Sequence, residues 1–242
     1  MNLFISDVHL AAERPEATAA FLAFLEGPAR KAESLWILGD LFDQWLGDDD
    51  DRPPHLDIEA GLAALVRAGI GVNAMHGNHD FLLGSDFAER TGCRLLTEPF
   101  IADIAAEPVV LLHGDSLCTR DIEYQAFRRY TRDVDNQRRF LSLPMETRIR
   151  EAQGLRSAST SRSRLKPEDI MDVTPEEVVR TLAQHESTLM IHGHTHRPAI
   201  HDLNTPSGPA KRIVLGDWYE QGTVLIQDDD GYRLAPPNES DG

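Results

Sequence analysis

Seven side chains in this 242-residue sequence have the types and spacing to hold metal ions: Asp7, His9, Asp40, Asn78, His113, His194 and His196. They comprise four imidazoles, two carboxylates and one amide oxygen. A single first-row ion does not use seven donors. Two ions sharing one carboxylate do, with four ligands each and open positions for water. Mixed nitrogen and oxygen ligation without thiolate suits Mn²⁺, Fe or Zn²⁺ better than Ca²⁺ or Mg²⁺. Two such ions, about 3.5–4 Å apart, ionise a bridging water and clamp a phosphoryl group for in-line displacement. In extended backbone, residues two apart face one side, so Asp7 with His9, and His194 with His196, are expected to present their donors in pairs.

A short apolar run precedes each donor. Leu3-Phe4-Ile5 leads to Asp7, Leu35 to Leu38 leads to Gly39-Asp40, and Val72 to Met75 leads to Gly77-Asn78-His79-Asp80. Val109 to Leu112 leads to His113-Gly114-Asp115, and Leu189 to Ile191 leads to Gly193-His194-Thr195-His196. Read alone, these runs describe a sheet whose strand ends converge on one polar pocket, where open α/β sheets place their ligands. Helical stripes alternate with them: Pro15 to Glu26, then Ile58, Leu62, Leu65 and Val66 closed by Gly69, then Ser85 to Arg90 capped near Gly92. The alternation marks an α/β protein.

After Asp115 the alternation breaks. Ile122 to Arg132 and Met145 to Gly154 read as helices, whereas Ser157 to Arg164 is a Ser/Thr/Arg tract with no apolar period. Thr174-Pro175-Glu176-Glu177 is a capping box that starts the next helix. Arg212 to Leu215 and Thr223 to Gln227 are expected in a second sheet, with a turn at Asp228 to Gly231 and a disordered tail from Pro236 to Gly242. The expected organisation is one domain over residues 1–235 with a helical lid insertion at about residues 120–170.

Hydrophobic residues make up 41% and charged residues 26%, an ordinary globular composition. A formal charge of −16 argues against nucleic acid as the main partner. The insertion differs: from Arg120 to Lys166, twelve of the 24 basic residues face six acidic ones. Cys93 and Cys118 lack metal spacing and read as reduced, partly buried thiols of a cytoplasmic protein. No signal peptide or membrane-spanning run is expected.

Other residues have plainer readings. His76 and His192 sit on the opposite alternation and read as structural, while His55, His185 and His201 read as surface residues. Asp48 to Asp51 reads as a solvated loop. Asp43 and Asp80 are expected to orient ligands rather than bind metal. Trp36, Trp45 and Trp218 read as packing residues.

Asp7-x-His9, Gly39-Asp40-x-x-Asp43, Gly77-Asn78-His79-Asp80, His113-Gly114 and Gly193-His194-x-His196, in that order, resemble the calcineurin-like metallophosphoesterase superfamily. That resemblance implies a sandwich of two mixed β-sheets flanked by helices. It also implies one metal on Asp7, His9, Asp40 and His196, and a second on Asp40, Asn78, His113 and His194. Leu41-Phe42-Asp43-x-Trp45-x-Gly47-Asp48-Asp49, Gly114 to Thr119, Tyr124 to Arg128, Ile170 to Val173 and His194 to Pro198 resemble the UDP-2,3-diacylglucosamine diphosphatases of lipid A biosynthesis. This narrower resemblance implies hydrolysis to UMP and 2,3-diacylglucosamine 1-phosphate by attack of metal-activated water on the α-phosphorus, with two Mn²⁺. It implies a cytoplasmic protein peripheral to the inner membrane. Its substrate-contacting positions map onto Asn78, His79, Asp121, Ser159, Ser163, Lys166 and His194, with His79 and His194 as catalytic groups. Two positions depart from the pattern: His79 stands where that family usually has Arg, and position 163 more often carries a side chain other than Ser. A His can supply a proton where an Arg holds a phosphate in a fixed fork. The alternative is a general phosphoesterase acting on another nucleotide or phosphoester. The insertion discriminates: Phe127, Tyr130, Phe140, Leu141, Leu143 and Ile149 beside many arginines suit acyl chains, phosphates and an anionic membrane surface.

Overall fold

Each apolar run that precedes a candidate donor folds as a strand in the computed structural model, which describes residues 1–163, 170, 172–219 and 222–239 without the side chains of 157–163 and 239. The first half runs β1 (Asn2–Ile5), α1 (Pro15–Glu26), β2 (Ser34–Leu38), α2 (His55–Arg67), β3 (Gly71–Met75), α3 (Ser85–Thr91), β4 (Arg94–Leu96), β5 (Phe100–Ile104) and β6 (Glu107–Leu111). Inserted helices follow, among them α4 (Ile122–Arg132), α5 (Val134–Leu141) and α6 (Met145–Ser163). The chain then returns through α7 (Pro175–Gln184), β7 (Leu189–His192), β8 (Ala199–Thr205), β9 (Gly208–Val214), β10 (Val224–Asp228) and β11 (Gly231–Ala235).

The strands form two mixed sheets, ordered β11-β10-β1-β2-β3-β4 and β5-β6-β7-β9-β8. Their period of two builds the layers. Leu3 and Ile5 of β1 face α1 and α2 with Phe21, Phe24 and Leu62, whereas Phe4 faces the other sheet. Likewise Val109 and Leu111 of β6 lie between the sheets with Ile191, while Val110 and Leu112 pack on Val178 and Leu182 of α7. A one-residue slip of β1 would exchange two fully buried faces, so its register is fixed. Burying each such side chain contributes about 1.5–3 kcal/mol.

The two-sheet sandwich implied by the resemblance is present. A single convergent sheet is not: β1, β2 and β3 belong to one sheet, β6 and β7 to the other, and the ends of both meet. Apolar runs buried on both faces do not reveal which strand lies beside which. For the same reason Thr223 to Gln227 does not join Arg212 to Leu215. β9 pairs with β7, whereas β10 returns to lie antiparallel to β1.

Other expectations need correction. The tract from Ser157 is helical as far as Ser163, a continuation of α6 that no apolar stripe announces. Thr174 is the N-cap of α7 but makes no capping bond, because its hydroxyl accepts from Thr119 Oγ1 at 2.9 Å. Asp48 to Asp51 is not merely solvated. Asp48 accepts from the backbone of Gly84, Asp86 and Phe87 at the start of α3, Asp49 pairs with Arg148, and Asp50 is buried against Arg52. His55 is buried at 3% exposure, its Nδ1 3.0 Å from Asp50 O, not a surface residue. A 3₁₀ turn spans Pro237–Glu239; Ser240 to Gly242 lie outside the described residues.

Candidate dinuclear metal centre

Five of the seven candidate donors occupy left-handed backbone: Asp7 (φ 54°), His9 (φ 51°), Asp40 (φ 54°), His194 (φ 69°) and His196 (φ 55°). Such conformations cost roughly 1–3 kcal/mol each outside glycine and persist only where surrounding structure enforces them. The paired donors therefore do not share a face through extended backbone, as the spacing suggested. Strands β1 and β7 end before them, and turns aim each side chain.

Cross-strand contacts enforce those turns. Asp7 N donates to Gly39 O at 3.1 Å, His9 N to Asp40 O at 3.0 Å, and Gly193 N to His113 O at 2.8 Å. Two glycines allow the loops to close: a Cβ on Gly77 would lie 2.0 Å from Asp40 Oδ1, and one on Gly193 would lie 2.3 Å from Asp7 Oδ2. Asp80, fully buried, accepts from the backbone N–H of Gly77 (2.7 Å), Asp40 (3.3 Å), Leu41 (2.7 Å) and Phe42 (3.4 Å), and so ties the β2 loop to the β3 loop.

The donor atoms converge in two linked groups. In the first, Asp7 Oδ1 lies 3.3 Å from His196 Nε2 and 3.9 Å from His9 Nε2, and the two imidazole nitrogens face each other at 3.4 Å. In the second, His113 Nε2 lies 2.9 Å from Asn78 Oδ1, and the rings of His113 and His194 are 5.1 Å apart. Asp40 joins them, its Oδ2 3.9 Å from His9 Nε2 and 3.5 Å from His113 Nε2. His113 Nδ1 donates to Leu38 O at 2.9 Å, which leaves Nε2 to face the cluster.

The electrostatics call for cations. Asp7 Oδ1 is buried without a hydrogen-bond partner. Burial lifts the Asp40 carboxyl to about 6. Burial opposes charge on His113, but Asp40, Asp7 and Asp115 outweigh it and carry the imidazole to about 9. Burial and neighbouring His79 depress His9 to about 2. Carboxylates and imidazoles crowded out of water in this way suit divalent cations that replace protons on the shared donors. The donor set therefore fits a cation pair with Asp40 between the two positions.

A calcineurin-like phosphoesterase family model matches residues 3–198. The UDP-2,3-diacylglucosamine hydrolase of Stutzerimonas stutzeri is 49% identical over 98% of this chain and 98% of its own. Those of Pseudomonas aeruginosa and Aeromonas hydrophila are 49% and 50% identical over 97% and 93% of this chain, and over 98% and 93% of their own. The chain belongs to the UDP-2,3-diacylglucosamine hydrolase family of calcineurin-like phosphoesterases. It is accordingly a hydrolase.

The inserted helices cover the donor cluster with a largely apolar cavity of about 370 Å³. Trp45, Phe81, Leu82, Phe127, Phe140 and Leu155 line it, and Asn78, His79, Tyr124 and Arg156 mark where it meets the cluster. His79 Nδ1 donates to Asp43 O at 2.8 Å, so it is Nε2 that is free to act toward a ligand. His194 sits between the His113 ring and the Tyr124 ring, 5.9 Å from the latter. Asp121 is placed as the N-cap of α4, accepting from Tyr124 N at 3.0 Å. The side chains of Ser159 and Ser163 and all of Lys166 lie outside the described residues.

Sequence reasoning missed several groups around the centre. Asp115, fully buried, accepts from Tyr124 Oη (2.7 Å) and Arg128 Nε (2.9 Å); Arg128 also pairs with Glu98, which accepts from His113 N at 2.9 Å. Arg156 of α6 pairs with Asp43. Arg128 and Arg156 were read as members of a basic stretch, and nothing in the spacing marked Asp115, Glu98 and Asp43 as their partners. Asp217 and Tyr219 also touch the centre, and the overlooked signal was another apolar run ending in Gly-Asp.

Proposed function

We propose that this chain hydrolyses the pyrophosphate of UDP-2,3-diacylglucosamine to UMP and 2,3-diacylglucosamine 1-phosphate, a step of lipid A biosynthesis. The observation that carries the reading is the pairing of an Asp40-centred donor cluster with an apolar cavity opening onto it, in a chain 49% identical over 98% of its length to a hydrolase named for that substrate. Asp7, His9, Asp40 and His196 would hold one cation, and Asp40, Asn78, His113 and His194 the other. Mn²⁺ is the proposed metal, with Fe and Zn²⁺ compatible with the same donors. What such a pair supplies when bound is water ionised near neutral pH and neutralised charge on the phosphoryl oxygens.

The chain's own residues do the rest. Asp80 and Asp43 hold the β2 and β3 loops so that Asn78 and His79 face the phosphate. His79, with Nδ1–H committed to Asp43 O, presents a proton on Nε2 only as imidazolium, and in that form donates it to the departing oxygen. His194 would act with His79 to stabilise the phosphate or leaving group. Asp121, Ser159, Ser163 and Lys166 would position the sugar phosphate and its acylated head. Phe127, Phe140 and Leu155 exclude water from the acyl chains.

The cap also exposes Ile122 (70%), Val134 (54%) and Tyr130 (53%) among arginines. This face suits peripheral contact with the anionic cytoplasmic leaflet of the inner membrane, from which the lipid substrate would enter. No described helix is long and apolar enough to cross a membrane.

The test is hydrolysis of UDP-2,3-diacylglucosamine in ¹⁸O-water with Mn²⁺. The proposal expects one label in UMP, as attack on the α-phosphorus requires, and far slower turnover of p-nitrophenyl phosphate. Label in the sugar 1-phosphate, or equal turnover of both substrates, would refute it.

A further inference from the structure

β9 leads into Gly216-Asp217-Trp218-Tyr219, repeating the order in which β2 leads into Gly39-Asp40. This loop approaches the donor cluster from outside. Asp217 Oδ2 lies 3.0 Å from Nδ1 of His196, the ring nitrogen opposite the Nε2 that faces Asp7 Oδ1 at 3.3 Å. One imidazole thus joins a carboxylate behind it to the cluster in front.

The loop is anchored independently of that contact. Trp218 N donates to Asp7 O at 3.2 Å, and Arg14 donates to Trp218 O at 2.8 Å. The Trp218 indole packs edge-on against Phe21 and Phe24 of α1, with centroids 5.8 and 5.5 Å away. Tyr219 N donates to Asp217 Oδ1 at 3.1 Å, which fixes the carboxylate plane. The Tyr219 ring stacks on His9 at 5.4 Å, and the Arg14 guanidinium lies 4.4 Å from its centroid. A Cβ on Gly216 would come within 2.6 Å of Thr223 Oγ1, so the turn before Asp217 is tightly packed.

Resting on the dinuclear reading above, the geometry points to Asp217 as a positioning residue for His196. It accepts the Nδ1–H, selects the tautomer whose Nε2 lone pair faces the Asp7 side of the centre, and stops the ring from turning. A partly exposed His–Asp pair on its own contributes little. A carboxylate behind a metal-binding imidazole has a larger effect, about 10–100-fold in metal affinity, because it sets both orientation and basicity. The effect should be confined to the cation position that His196 serves, since Asn78, His113 and His194 have no contact with this loop among the hydrogen bonds, ion pairs and ring contacts of the described residues.

Metal-stripped full-length protein titrated with Mn²⁺, followed by calorimetry and electron paramagnetic resonance, tests this. Wild type should take two Mn²⁺. Asp217→Ala should weaken one position about 10–100-fold and leave the other unchanged, with an unaltered circular dichroism spectrum. Asp217→Asn keeps an oxygen acceptor for Nδ1–H without the charge and should recover only part of the lost affinity. Two unchanged positions in Asp217→Ala, or equal weakening of both, would overturn the assignment while leaving the dinuclear reading intact. Failure of wild type to take two Mn²⁺ would overturn both.

Discussion

Asp7, Asp40 and His113 are at most 1% exposed, in loops pinned by cross-strand hydrogen bonds at the ends of two packed sheets. Across the cavity, α4 and α5 bury no residue, and between Ile122 and Arg156 the one buried side chain is Arg148. The centre is built on a core that enforces strained backbone. The cap is held by a few charged contacts: Arg148 to Asp49, Arg128 to Asp115 and Glu98, Arg132 to Gly77 O, and Arg156 to Asp43. A substrate with two acyl chains needs both qualities, donors that do not move during reaction and walls that part to admit lipid. The same division predicts that mutations at the two places fail differently.

The largest effect is expected at the centre. Asp40→Ala should lower turnover by about three orders of magnitude or more and abolish paired Mn²⁺ binding. Turnover within tenfold of wild type would break the comparison at its rigid end. Next comes the pin of the cap. Arg148 donates to Leu143 O, Leu46 O and both oxygens of Asp49, so Arg148→Ala strips partners from two carbonyls. Denaturant unfolding should show a loss of about 2–3 kcal/mol, with Mn²⁺ stoichiometry unchanged. Loss of metal binding instead would mean that cap and centre are one cooperative unit.

A smaller effect is expected at the cavity wall. Phe127→Ala should raise KM for the diacylated substrate about tenfold without altering hydrolysis of p-nitrophenyl phosphate, because only the former uses the apolar wall. The smallest concerns Asp50, beneath the loop that carries Asp49. Burial opposes its charge, but hydrogen bonds from Arg52 and the nearby His55 ring outweigh that and hold the carboxyl well below its usual value of 3.8. A depressed carboxyl stabilises the fold above its unfolded value, and that contribution is lost as pH falls below about 4. Asp50→Asn should therefore cost about 1 kcal/mol at pH 7 and flatten the acid limb of stability below about pH 4.

The same contrast governs what the amino-acid order reveals. The clustering of the candidate donors was legible because each follows a short apolar run, and strand ends leave little choice of where such residues lie. The left-handed turns at Asp7, His9, Asp40, His194 and His196 were not legible, since tertiary contacts impose them against local preference. In the cap, α5 is a short helix whose apolar residues are only Val134, Phe140 and Leu141, the continuation of α6 to Ser163 lacks an apolar stripe, and arginines whose partners lie about a hundred residues away carry no periodic signal. Asp217 shows the intermediate case. Its Gly-Asp was visible, but its role depends on β9 lying beside β7, which neither run specifies.

Anomalous diffraction from crystals grown with Mn²⁺ tests the central claim most directly. Two peaks are expected, one among Asp7, His9 and His196, the other among Asn78, His113 and His194, with the Asp40 carboxylate between them. A single peak, or none, in crystals of fully active protein would contradict the account.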